Sequence, residues 1–330
     1  MDCMEQMESK GEHKAKYKGS PGLLSRRRHI VKKLKLNMQS LANDTLTWTA
    51  RVICLVGCFT FWYNIDVIQE STNALWEILR YHWFYKLAYF ETFFVVLYYT
   101  LFLGYPYVIE YFNLFNKYKL NIKDHTPIPR PLELILEVVV YVAPLATLDT
   151  FMVKKYAGVT DEDLVEVRKH WIQTERILPV DPPNVMWSVV HLIVAFIIYD
   201  FMFFVLHYAL HKNRWLYDNI HSCHHNHSTG GINSRVTNKL NVVERVAIVL
   251  IANFALKVIG SHPLTRTLFI PLYVSFLVES HMGYDLPWSY NKIMPHGMMG
   301  GATAHYEHHI KGTKNFQPVF TYLDKYMLGN

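Results

Sequence analysis

Cysteine is scarce in this chain. Its 330 residues hold four, Cys3, Cys54, Cys58 and Cys223, and their spacing sets up no disulfide framework. Cys54 and Cys58 lie one helical turn apart inside an apolar run, where a free thiol acts as a small packing residue. An apolar N-terminal stretch with a small-residue cleavage site is also missing, so no cleaved signal peptide is expected. Nor does any internal repeat stand out at the period of about 20 to 50 residues that builds solenoids and propellers. Charge is thin as well: Asp, Glu, Lys and Arg make up 18% of the sequence, against 51% hydrophobic and 15% aromatic residues.

The charges that exist are kept out of long stretches. Leu46 to Tyr63 holds one, Arg51; Leu87 to Ile109 holds Glu91; Leu134 to Leu148 holds Glu137; Val185 to Leu206 holds Asp200. Val246 to Ile259 and Leu264 to Val278 form a further pair around Gly260, Ser261, His262 and Pro263. A hydrocarbon core about 30 Å thick needs roughly 20 helical residues. The first, second and fourth runs approach that length. The final pair reads either as two tilted spans or as one re-entrant hairpin. Proline clusters at Pro127, Pro129 and Pro131, and at Pro179, Pro182 and Pro183, mark the entries to the third and fourth spans.

Orientation follows from the basic residues. Arg26, Arg27, Arg28, Lys32, Lys33 and Lys35 stand directly before the first span, which argues for a cytosolic N-terminus and against a nucleic-acid patch. The polar, lysine-rich stretch before Gly22 reads as disordered. Alternating from there, the connection after the second span, with Lys117, Lys119, Lys123 and Arg130, falls on the cytosolic side. The fourth span then exits into the cytosol at His207. The sequons at Asn43 and Asn226 fall on that same side, so neither is expected to carry glycan.

That exit is where the histidines begin. HYALH at His207–His211, HSCHH at His221–His225 and HYEHH at His305–His309 hold eight of the 18 histidines. An HxxxH is expected by chance about once in such a chain, but an HxxHH only about 0.05 times. On a helix, positions i, i+3 and i+4 share a face, so each cluster aims its rings at one place. Eight imidazoles exceed what one tetrahedral zinc takes and suit two metal ions. Nitrogen-rich ligation favours iron, copper or zinc. Asp200, Glu279, Asp285 and Glu307 are candidates to hold the second ring nitrogens. His227 and His296 lie near the clusters as lesser ligand candidates; His82, His125, His170, His191 and His262 stand isolated, as packing residues.

The pattern HxxxH, HxxHH, a lone histidine and HxxHH resembles the membrane fatty acid hydroxylase and sterol desaturase superfamily, over about Val185 to the C-terminus. Asp200, followed by aromatics and His207, is similar to the lead-in to the family's first box. The stretch from Glu279 through His281, Gly283, Tyr284, Asp285, Pro287 and Trp288 resembles the HSGYDFPW of cholesterol 25-hydroxylases and sterol methyl oxidases. The tail, Gly300-Gly301, Asn315-Phe316, Pro318 and Phe320-Thr321 to Asp324, is most similar to the cholesterol 25-hydroxylase branch. Two features depart from the family. Ser222 stands where a basic residue is usual, and Ser228 to Gly231 replaces a proline-containing stretch.

The resemblance implies two non-haem iron ions held by His207, His211, His221, His224, His225, His281, His305, His308 and His309, at the cytosolic face of the endoplasmic reticulum. It implies a dioxygen-dependent di-iron monooxygenase acting on a sterol or other lipid. No fused haem-binding donor domain is visible, so a separate b-type cytochrome or flavoprotein reductase is expected to supply electrons. The expected fold is all-α and multi-pass, with a cytosolic histidine-lined di-metal site. Residues 1–44 form a basic, disordered tail, 45–184 the first three spans, and 185–330 the catalytic region. Alternatives are a C4-methylsterol oxidase, a sterol desaturase, a fatty-acyl or sphingolipid hydroxylase, a non-catalytic sterol-binding relative and a metal transporter. A transporter would need its histidines at mid-membrane depth, and these sit at span ends.

Overall fold

The computed structural model describes residues 23–228 and 230–329, with side chains from residue 42 onward. Among them no strand forms; Leu87 with Glu175, Lys119 with Tyr284 and Met299 with Phe320 make isolated bridges. The longer helices are α1 (Leu23–Tyr63), α2 (Ile65–Leu79), α3 (Phe90–Tyr111), α4 (Pro131–Phe151), α5 (Val185–Lys212), α6 (Val242–Val258), α7 (Pro263–His281) and α8 (Gly301–Lys311). Among the described residues four stretches are long and apolar enough to cross a membrane: Ala42–Tyr63 in α1, and α3, α4 and α5.

Local chemistry sets the helix limits. α4 grows to 21 residues because Pro131 sits in its first turn and Glu133 accepts the Arg130 N–H at 3.2 Å, satisfying a donor that a helix start leaves free. α5 starts where Asn184 Oδ1 accepts the Trp187 N–H at 3.0 Å. The final apolar pair became α6 and α7, of 17 and 19 residues. His262, expected as an isolated packing histidine, caps α7 by accepting the Leu264 N–H on Nδ1 at 3.1 Å. At the other end of the chain, α1 begins at Leu23: between Gly22 and Gly57 neither glycine nor proline interrupts a run rich in Leu, Lys and Arg, all good helix formers. The stretch before Gly22 lies outside the described residues.

The compact body comprises Thr47–Asn330, and α7 is its centre. Ile270, Val274 and Val278 pack on Tyr99 of α3, while Phe269 meets Ala195 and Phe196 of α5 and Leu256 of α6. Helices in lipid associate through close packing and interhelical hydrogen bonds. Such bonds recur: Tyr85 with Thr267 at 3.1 Å, Thr265 to Ser188 at 2.9 Å, and Tyr199 to Tyr273 at 3.2 Å.

The two ends of α7 are unlike. Near its start, Arg266 meets both Glu91 oxygens at 3.0 and 2.9 Å. Glu91 also pairs with Arg176 and Lys154, each at 3.2 Å, and Lys154 reaches Asp149 at 2.7 Å. This buried network ties the 152–184 connection to α3, α4 and α7. At the opposite end of α7 stands His281, 15 residues or about 22 Å away. The same end holds the 112–130 connection, where Asp124 accepts from Tyr306 at 2.8 Å. It also holds Thr47 and Arg51 of α1, which donate to the Pro287 carbonyl at 2.9 Å and to that of Lys292 at 2.8 Å.

Candidate metal centre

Four segments deliver the histidines. α5 ends with His207 and His211 on one face. The chain then makes a π-helical turn over Tyr217–His221, closed by Ser222 N–H to Tyr217 O at 2.8 Å. Such wide turns recur at functional sites. α7 ends on His281. α8 carries His305, His308 and His309, and its first residue is Gly301 with φ +63°, where a Cβ would stand 2.5 Å from Asn291 Cγ. Only glycine fits that start.

The rings fall into two sets. His207, His211, His221, His225 and His308 form one, and His224, His281, His305 and His309 the other; within each, the donor atoms lie within 4.8 Å of one another. In the first, His221 Nε2 stands 3.1 Å from that of His207, 3.0 Å from that of His211 and 3.1 Å from that of His225. In the second, Nε2 atoms meet at 3.4 Å (His281 and His224), 2.8 Å (His305 and His281) and 3.0 Å (His309 and His305).

These contacts test whether a metal fits. A neutral imidazole carries one N–H. His207 spends its proton on the Phe316 carbonyl, His281 on that of Leu277 and His308 on that of Lys314, each through Nδ1 at 2.8 Å. His221 Nδ1 meets Glu244 Oε1 at 2.8 Å, and with Glu244 ionised it is the nitrogen that donates. Their Nε2 atoms are therefore bare lone pairs. Two of them, on His207 and His221, face each other without a proton between them, and His308 Nε2 is buried with no partner. A cation between such nitrogens resolves the conflict, so the residues fit a metal. Burial, then neighbouring histidines, depress the His221 pKa to about 2 and those of His225 and His308 to about 3. The rings stay in the neutral form that binds metal.

The expected carboxylates stand elsewhere. Asp200 accepts the Val319 and Phe320 N–H groups at 2.9 and 3.0 Å and also pairs with Gln317. It thereby fixes the strap that brings the Phe316 carbonyl to His207. Glu279 accepts the Tyr290 N–H at 3.0 Å, Asp285 pairs with Lys292 at 3.0 Å, and Glu307 with Lys311 and Lys314 at 2.6 and 2.7 Å. None of the four is bonded to a ring nitrogen among the described residues. Glu279 and Glu307 each stand two residues from a histidine on their helices and so face away from the rings, Asp285 lies beyond the end of α7, and Asp200, two turns before His207 on the same face, is taken up by the strap. Glu244, the carboxylate that does reach a histidine, is the lone acid at the start of α6, just before an apolar run. His227 is not among the converging nitrogens; its Nε2 lies behind His309 Nδ1 at 3.0 Å. His296 is exposed on a loop with φ +58°.

Fold and site together define a multi-pass membrane protein with a polyhistidine metal-binding centre. The comparisons agree. Residues 192–328 match the model of the fatty acid hydroxylase family. A very-long-chain aldehyde decarbonylase of Oryza sativa subsp. indica is 31% identical over 265 residues, 76% of this chain and 88% of that protein. The chain belongs to the fatty acid hydroxylase family. Human cholesterol 25-hydroxylase is 33% identical over 156 residues, 47% of this chain and 57% of that enzyme. A cholesterol 25-hydroxylase-like protein of Danio rerio is 35% identical over 156 residues, 47% and 61% of the two chains. The chain thus spans little more than half the length of these hydroxylases. No solved structure gives a significant match.

Glu244→Ala strips His221 of its Nδ1 partner and is expected to weaken metal binding by about 10- to 100-fold. Glu307→Ala, on the outer face of α8, leaves it unchanged. Titration of purified protein against a competing chelator distinguishes them; equal affinities in the two variants contradict the assignment.

Proposed function

We propose that the chain is a membrane-bound non-haem di-iron oxygenase that hydroxylates a sterol. The observation that carries this reading is the convergence of two histidine sets, with bare Nε2 atoms facing each other on His207 and His221 and a partnerless one on His308. His207, His211, His221, His225 and His308 hold one iron, and His224, His281, His305 and His309 the other. Bound there, two irons supply the dioxygen activation that an unreactive C–H bond demands. The overall balance is one lipid C–H, one dioxygen, two electrons and two protons giving one alcohol and one water. Around the irons the chain's own groups set the conditions. Glu244 and the three carbonyls orient the rings, and the Phe316 ring, 5.2 Å from His211 and 5.3 Å from His308, shields the first set from water. The sterol class rests on the similarity to cholesterol 25-hydroxylases.

The site lies at the cytosolic face of the membrane, by the basic residues that flank the first span, and in the endoplasmic reticulum by the resemblance to the family. There it meets a separate b-type cytochrome or flavoprotein reductase as electron donor.

Two experiments test this. Sterols extracted from cells with and without the protein are expected to show species gaining one oxygen, by mass spectrometry. His224→Ala is expected to fall below about a tenth of that yield, since losing even an outer partner usually costs about 10- to 100-fold. An unchanged sterol profile counts against the substrate class. For topology, a cysteine placed at Lys212 is expected to react with an impermeant thiol reagent only from the cytosolic face. Labelling in sealed vesicles with the lumenal face outward reverses the orientation.

A further inference from the structure

A cleft of about 560 Å³ opens between the first half of α4 and the connection that runs from the second histidine box into α6. That volume falls among pockets that enclose small ligands, about 300–1,000 Å³. Leu136, Val140, Val236 and Leu240 make its walls apolar. Leu136 and Val140 are also exposed along α4, one of the helices apolar enough to span. The cleft is therefore open toward the hydrocarbon of the bilayer. None of the nine converging histidines lines it. Its occupant stands behind the metal centre, out of reach of the chemistry proposed there.

The charges that line the cleft do not balance. Glu133 is taken by Arg130 at 3.2 Å, and Glu137 by Arg235. Two lining cations are left over, Lys239 and Arg245. Among the described residues neither forms an ion pair: Lys239 Nζ donates to the Asn226 carbonyl at 2.5 Å, and Arg245 to the Asn238 side chain and carbonyl at 2.5 and 2.9 Å. Arg245 is buried and supplies field rather than contact. Lys239 is only half-buried, and its ammonium has three N–H donors, of which the Asn226 carbonyl takes one. Burial lowers the Lys239 pKa below the usual lysine value, and an anion beside the ammonium offsets that cost. This cationic corner abuts the second box. Cys223 Sγ lies 3.9 Å from the Lys239 carbonyl, and Asn226 directly follows His225.

We propose that this cleft binds an anionic membrane phospholipid, with its headgroup on the Lys239 ammonium and the first carbons of its chains against Leu136 and Val140. The site is distinct from any substrate site at the histidines, and it stands whether or not that centre oxidises a sterol. An anionic headgroup is preferred to a zwitterionic one because both carboxylates in the cleft are already neutralised. A choline cation finds no partner there, whereas a phosphate finds Lys239. The cytosolic leaflet, on whose side the histidine end falls by the basic residues before the first span, is the one that carries such lipids. A lipid seated here braces the turn that presents His221, His224 and His225, because the lysine that holds its headgroup also holds Asn226.

The test uses full-length protein, stripped of lipid in detergent and read by native mass spectrometry with phosphatidylserine and phosphatidylcholine of the same chains. Wild type is expected to bind one phosphatidylserine about tenfold more tightly, the worth of one charge-assisted hydrogen bond. Lys239→Gln is expected to bring the two lipids within about threefold of each other, and Lys239→Arg to keep the preference. Lys123→Gln, at an exposed cation outside the cleft, leaves it unchanged. Equal binding of the two lipids by wild type, or a preference kept in Lys239→Gln, overturns the proposal. Glycerophosphoserine, the same headgroup without chains, separates a lipid from a free phosphate ester: binding as tight as that of the lipid overturns the assignment of a lipid. Cys223 gives a second reading that leaves Lys239 in place. With Cys3, Cys54 and Cys58 replaced by Ser, Cys223 is expected to react with a maleimide in the lipid-free protein. It is expected to lose that labelling with phosphatidylserine but not with phosphatidylcholine at the same concentration. A Cys223 that never labels, or that labels equally under both lipids, contradicts the placement.

Discussion

Nine neutral imidazoles share one small volume, and at least four of them have already committed their proton to an outside acceptor. At those four rings, what faces inward is a bare lone pair. A buried polar atom without a partner costs about 1–3 kcal/mol. The metal-free arrangement is therefore unfavourable at several atoms together, and a bound cation offsets each deficit. The surrounding architecture follows from this requirement. α5 and α7 end at the centre so that His207, His211 and His281 enter from two sides, and the strap held by Asp200 and Asp324 brings a carbonyl to His207. The Phe316 and Gln317 N–H groups donate to Asp324 at 2.9 and 2.8 Å.

The opposite end of α7 holds the helix that carries His281. Glu91 gathers Arg176, Lys154 and Arg266 around one carboxylate, which joins α3, α7 and the 152–184 connection. Breaking a buried ion pair from one side leaves an unpaired charge and is strongly destabilising. This connection, with five Lys or Arg and six Asp or Glu residues, anchors the bundle. Its charges are spent within the fold, so they carry no topological signal.

Much of this was legible in the sequence. Spans are written in apolar run length, and α3, α4 and α5 appear within a few residues of their runs. The histidine spacing is written in helical periodicity, so the convergence of the three boxes was also readable. Their division was not. His224 joins the second set while its box-mates His221 and His225 join the first, and His308 leaves His305 and His309. Rings one turn apart on a helix point to slightly different places, and the π-helical turn shifts the second box further. The ring-orienting partners were hidden for another reason. Three are main-chain carbonyls, which no residue type advertises, and the fourth, Glu244, lies 23 residues from His221 along the chain.

The account stands on two metal ions being held by nine histidines. Metal analysis of protein purified without oxygen and loaded with ferrous iron measures this directly. Two irons per chain are expected at saturation. One equivalent or fewer at full occupancy contradicts it, whereas two zinc ions after overexpression do not, because divalent metals exchange in nitrogen-rich sites.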